Sequence, residues 1–140
     1  MADVMQGLSP KNLYEFYQRL KVEPEFVTTE RKAIIIKVTL DNYAFNTLFY
    51  STPDPTDRNA VAEILQFSAV FDGGKDRNEA LRKINDWNSK VIFGKGFVDA
   101  EGDIIIEHAF SVKGVTPDFL GGMLELWDAA LSDFSDFLFG

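Results

Sequence analysis

The 140-residue sequence contains no cysteine and a single histidine, His108. The first absence removes disulfides, thiol nucleophiles and thiolate metal sites together, so the fold rests on packing and tolerates a reducing compartment. The second leaves any metal-binding or acid–base histidine without another imidazole to share the task. Long apolar runs are also missing: no stretch approaches the length of a bilayer span. Residues 1–8 have neither the Lys or Arg nor the apolar run of an ordinary secretory signal, so a cytoplasmic location is expected. Basic residues are outnumbered, 14 Lys and Arg against 22 Asp and Glu, for a formal net charge of −8. That imbalance repels phosphate backbones and anionic lipid, so neither nucleic acid nor a membrane is expected as a partner.

What is abundant is phenylalanine, 13 Phe against 4 Tyr and 2 Trp. Apolar ring surface is plentiful and polar handles on it are few, so much of it must be core and the remainder is suited to an interface. A chain of this length buries roughly two thirds of its unfolded surface around one core. One domain over 1–140 is expected, with an ordered core over residues 9–138.

Ser9 and Pro10 read as the N-cap and first residue of a helix, with Leu8 and Leu13 as a hydrophobic staple across the cap. Leu13, Phe16, Tyr17 and Leu20 continue it at helical spacing, and Pro24 stops it. A short extended piece near 26–29 leads to the polar turn Glu30, Arg31, Lys32. Alternation then predicts strands over 34–40 and 43–50, joined by a two-residue turn at Asp41 and Asn42, and a third over 62–71 after a polar loop. Asp76 caps a second helix with Glu79 at its third position and Leu81, Ile84, Trp87 and Val91 as its stripe. Strands over 92–99 and 103–112 form a hairpin around Ala100, Glu101 and Gly102. Thr116 and Pro117 start the last helix, with Leu120, Met123, Leu124, Trp127, Leu131, Phe134 and Leu138 on one face. The expected fold is α+β, an antiparallel sheet of about five strands with three helices in the order α-β-β-β-α-β-β-α.

Four landmarks between Ile84 and Trp127 carry a family resemblance. Asn85, Asp86, Trp87 and Asn88 end the second helix; Phe93, Gly94, Lys95, Gly96, Phe97, Val98 and Asp99 follow as a strand; then come the stretch from Asp103 to Glu107 and the triplet Gly114, Val115, Thr116. In that order they resemble the bacterial YbjN-like family of sensory transduction regulators. The order of elements extends the likeness from Ser9 to Leu138. One departure is Lys113, which stands where the family typically doubles the glycine before the last helix. The resemblance implies a fold like that of type III secretion chaperones: small, acidic, often dimeric proteins that bind extended or amphipathic segments of clients. It implies a binding module, with no defined reaction, cofactor or agreed ligand.

The residues that invite chemistry have plainer readings. His108 falls with Ile104, Ile106 and Phe110 on an apolar strand face and reads as packing. Asp99, Glu101 and Asp103 are spaced like part of a calcium loop, yet lack its bidentate Glu, and a hairpin turn uses the same residue types. Gly94 and Gly96 lie in a strand after a helix, the reverse of a phosphate-binding order, and suit close approach of a bulky helix residue. Glu79 with Lys83, Arg82 with Asp86 and Asp86 with Lys90 make a solvated helix face. No catalytic, cofactor or metal residue is expected.

The last helix is the exception. From Gly114 to Gly140 it carries Asp118, Glu125, Asp128, Asp133 and Asp136 with no Lys or Arg, and its Phe residues exceed one stripe. Gly121 and Gly122 near its start suggest close contact with the sheet or a bend. The expected function is a non-enzymatic binding or regulatory protein, chaperone-like, that engages a protein or client segment or forms a homodimer. Trp127, Asp133, Phe134, Asp136, Phe137 and Phe139 are the expected contact residues. The rivals are a small-molecule sensor or carboxylate enzyme using Asp99, Glu101 or Glu107, and a structural dimerisation module.

Overall fold

A computed structural model of the chain describes residues 3–139. Helix α1, Pro10–Arg19, starts as its cap dictates: the Ser9 hydroxyl accepts from the Asn12 N–H at 3.1 Å, and Leu8 and Leu13 are both buried. The chain then enters a six-stranded antiparallel sheet. Its members are β2 (Glu23–Thr28), β3 (Ile34–Thr39), β4 (Ala44–Tyr50), β5 (Ile64–Phe71), β6 (Lys95–Val98) and β7 (Ile104–Ser111), in the order β2-β3-β4-β5-β7-β6. A two-stranded ribbon joins β1, Met5–Gln6, to β8, Lys113–Val115.

The α+β class and the order of helices match the expectation, whereas the main sheet has one strand more. The extra strand is β2, where Pro24 obscures the pattern. Thr29 donates its N–H to the Ala33 carbonyl at 2.9 Å, so the odd-numbered residues of β2 bond to β3 and the even-numbered ones point outward. Pro24, lacking an N–H, therefore occupies an outward position on an edge, where a sheet accepts it. The Asp41–Asn42 turn forms as expected, with the Leu40 N–H donating to the Tyr43 carbonyl at 2.7 Å.

One face of the sheet presents Ile36, Val38, Phe45, Leu65, Phe67, Ile104 and Ile106, all buried. The polar pair on this face is satisfied internally, Tyr17 Oη lying 2.7 Å from Thr47 Oγ1. The opposite face stays open, and its central row runs Lys37, Asn46, Ser68, Glu107, Lys95 across five strands.

Helix α2, Arg77–Lys90, is capped by Asp76, whose carboxylate accepts from the N–H groups of Asn78 and Glu79. Its inward stripe is Ala80, Ile84 and Trp87; Leu81, expected there, is 42% exposed because the stripe runs through 80, 84 and 87 instead. The strand after it is shorter than its residues suggest. Ile92 is 96% exposed, and Gly94, at φ +79°, turns the chain so that β6 begins only at Lys95.

Helix α3, Pro117–Phe139, lies across the buried face, with Leu120, Leu124, Trp127, Leu131 and Phe134 inward. Trp127 packs among Phe45, Phe67 and Phe93. Close contact with the sheet does not explain Gly121 and Gly122: a Cβ on either would meet nothing within 4 Å. Each weakens the helix by about 1 kcal/mol relative to Ala.

Candidate functional site

The expected contact residues divide sharply. Trp127 and Phe134 are fully buried, so they cannot face a partner. Trp127 is covered by Phe45 and Phe67 of the sheet, and Phe134 by α2 packing beside α3: Trp87 meets Phe134 at 4.9 Å and Phe137 at 5.5 Å, so these rings close the space between the two helices. Phe137 is half-buried there, under the Lys90 ammonium. Asp133 and Asp136 are exposed, as is Phe139 at 70%.

Sequence periodicity missed the outer ridge. Phe119 is 42% exposed and Leu126 54%, and with Gly122 and Ala129 they follow one line along α3 at alternating three- and four-residue spacing. That spacing was legible; what was not legible was which of two apolar lines the sheet would take. Beside the ridge runs an acidic line containing Asp118, Glu125 and Asp136, with Asp128 further round. None of the five carboxylates of α3 is in an ion pair; the pairs among the described residues are Glu79–Lys83, Asp86–Lys90 and Glu63–Lys113. The expected Arg82–Asp86 pair does not form.

On its Asp128 side the acidic line borders a cleft of about 680 Å³ between α3 and the end of the β3–β4 hairpin. Glu23, Asp41 and Asp128 line it, opposed by Lys21 alone, and Tyr43 and Leu40 supply apolar wall. The excess of carboxylates favours a cationic group there, and the Tyr43 ring suits the same charge.

The four-residue signature at the end of α2 has a structural task. Asn88 accepts from the Gly96 N–H and donates to the Gly96 carbonyl, both at 2.9 Å, while Trp87 Nε1 donates to the Gly94 carbonyl at 2.9 Å. The Asp99 N–H donates to the Asp103 carbonyl at 2.9 Å across the hairpin, which directs the Lys95 and Phe97 backbone groups to β7 and those of Gly94 and Gly96 outward. The two side chains of α2 thus occupy the outer edge of β6 where another strand would pair. Gly96 is crowded from both sides: a Cβ there would run into the Ile105 carbonyl oxygen of β7 and come within 3.1 Å of Ile84 Cδ1 of α2.

The other residues singled out in the sequence serve local structure, while the buried Trp127 Nε1 has no hydrogen-bond partner among the described residues. Asp99, Glu101 and Asp103 bring carboxylate oxygens within 4.8 Å of one another, but Asp99 Oδ1 accepts from the N–H groups of Glu101 and Asp103 at 2.9 Å each, which closes the turn. His108 stacks on Phe93 with ring centroids 3.8 Å apart, and burial lowers its pKa. Glu107 and His108 border a shallow 340 Å³ depression with Lys95 and Gln66; Asp99 and Glu101 do not reach it. Among the described residues no helix is long and apolar enough to cross a membrane.

No curated protein matches the chain. A family model does, over residues 9–139, and its description is putative bacterial sensory transduction regulator. The match spans all three helices, the six-stranded sheet and the Trp87–Asn88 edge contacts, and on it the chain belongs to the YbjN family.

Proposed function

We propose that the protein is a non-enzymatic, chaperone-like regulator that acts by binding a protein segment. The family's description as a regulator supports the general role. The observation that carries the specific reading is the exterior of α3, where exposed apolar residues adjoin five carboxylates with no basic residue and no ion-pair partner. Such a surface attracts Lys and Arg from a distance, holds apolar side chains at contact, and loses its pull as salt rises. Asp133, Asp136 and Phe139 belong to this surface; Trp127, Phe134 and Phe137 support it from beneath.

The test is affinity capture with the full chain at low and high salt, beside a variant carrying Asp133→Lys and Asp136→Lys, with mass determination of each in solution. Residues 132–140 stay in every variant, because removing them takes away buried Phe134. A partner held at low salt by the unaltered chain and released by charge reversal is the expected result. Recovery of no partner by a strictly monomeric protein would sink the reading. A stable dimer of unaltered affinity in the variant would favour self-association through another surface.

A further inference from the structure

The two glycines of α3 pose a question that the chain's own packing does not answer. They sit side by side in the first third of a 23-residue helix, and the space over both is open. No turn, no positive φ and no close neighbour requires either of them. Gly122, however, lies on the ridge between exposed Phe119 and Leu126, with Ala129 one turn beyond. A residue without a side chain, between two apolar knobs, lets a second helix approach the backbone closely at that point.

Resting on the reading of α3 as a binding surface, we infer that the ridge Phe119, Gly122, Leu126, Ala129 seats an amphipathic helix of a different protein, crossing α3 at Gly122. Charge decides the occupant. Asp118, Glu125 and Asp128 flank the ridge on one side and the Asp128 side opens into the cleft with Glu23 and Asp41. The matching helix therefore has an apolar stripe bordered on one side by Lys or Arg, one of which reaches the cleft. The α3 of a second copy does not fit the same place, because it would bring two helices without a basic residue against each other. Gly121 points well away from the ridge, on the flank toward Asp128.

The probe is a labelled synthetic helix with Leu along one stripe and Lys on its flank, titrated with the full-length protein and followed by fluorescence anisotropy. Its controls are the same composition in scrambled order and a version with Glu replacing Lys. The Lys helix is expected to bind saturably and more weakly at high salt, and the controls at least about tenfold more weakly. Gly122→Ala should raise Tm by about 2–4 °C while weakening the probe about tenfold or more; Gly121→Ala should raise Tm similarly and weaken the probe much less than Gly122→Ala. Leu126→Glu, at an exposed position, should abolish binding with the fold intact. Equal binding of the scrambled peptide, indifference to Gly122→Ala and Leu126→Glu, or no saturable binding would overturn the inference. A natural partner captured equally well by the Gly122→Ala and Leu126→Glu variants would leave the regulatory-binding role standing and remove only this account of it.

Discussion

Asn88 commits its entire side-chain amide to one residue, accepting from the N–H of Gly96 and donating to its carbonyl. Asn88→Ala leaves both groups without a protein partner at a part-buried site, and a loss of about 2–3 kcal/mol is expected in urea unfolding. Asn88→Asp keeps the acceptor and loses the donor, so it should fall between. Gly96→Ala should be worse than either, since the new methyl meets the backbone of β7 rather than a yielding side chain. Tyr17 supplies a pH signature. Burial pushes its phenol well above the ordinary value of 10, against a smaller opposing effect of the Thr47 hydrogen bond. The folded state therefore holds the proton more tightly than the unfolded one. The associated stability is intact below pH 10 and is lost above it, at about 1.4 kcal/mol per pH unit. Tyr17→Phe should flatten that alkaline limb in pH-dependent denaturation, while destabilising the neutral protein by about 1–3 kcal/mol through the orphaned Thr47 hydroxyl.

Elements with a local chemical start were the legible ones. The caps of α1 and α2 rest on Ser9 and Asp76, and both helices begin where those residues place them. Elements whose limits depend on a distant neighbour were not. Ile92 and Phe93 have strand-forming side chains, yet β6 begins after them because Gly94 turns the chain and Trp87 holds its carbonyl. β2 was hidden by Pro24, whose missing N–H matters only once the strand is known to be an edge. For α3 the acidic character was plain, whereas the division of its Phe residues between core and surface depended on α2 lying alongside. The same packing sets a prediction for the element. Deleting residues 132–140 should cost at least the 3–5 kcal/mol typical of losing one buried Phe, read as a large drop in Tm, because Phe134 bridges Phe71 and Trp87.

Across the molecule, helices cover one face of the sheet, and the acidic excess gathers on the outward side of α3. His108 adds a mild acid sensitivity to the whole fold. Burial depresses its pKa below 6.5, so its contribution is present above that pH and lost as the pH falls through the lowered value. His108→Phe should remove this part of the acid limb while keeping the stack on Phe93, as thermal melts across mildly acidic pH would record. The asymmetry of the sheet's two ends has a separate consequence, concerning how many molecules can join rather than which. At the β6 end the amide of Asn88 stands in for a neighbouring strand, and β2 is the other terminal strand, its outward edge interrupted only at Pro24, which has no N–H. A body with one adhesive margin has a valence of one: pairing margin to margin closes on itself at two copies, whereas a fibre needs two margins per unit. Asn88 is in this sense a chain terminator. Opening the second margin by Asn88→Ala should convert any concentration-dependent association from a limit at the dimer to open-ended growth, which multi-angle light scattering distinguishes directly.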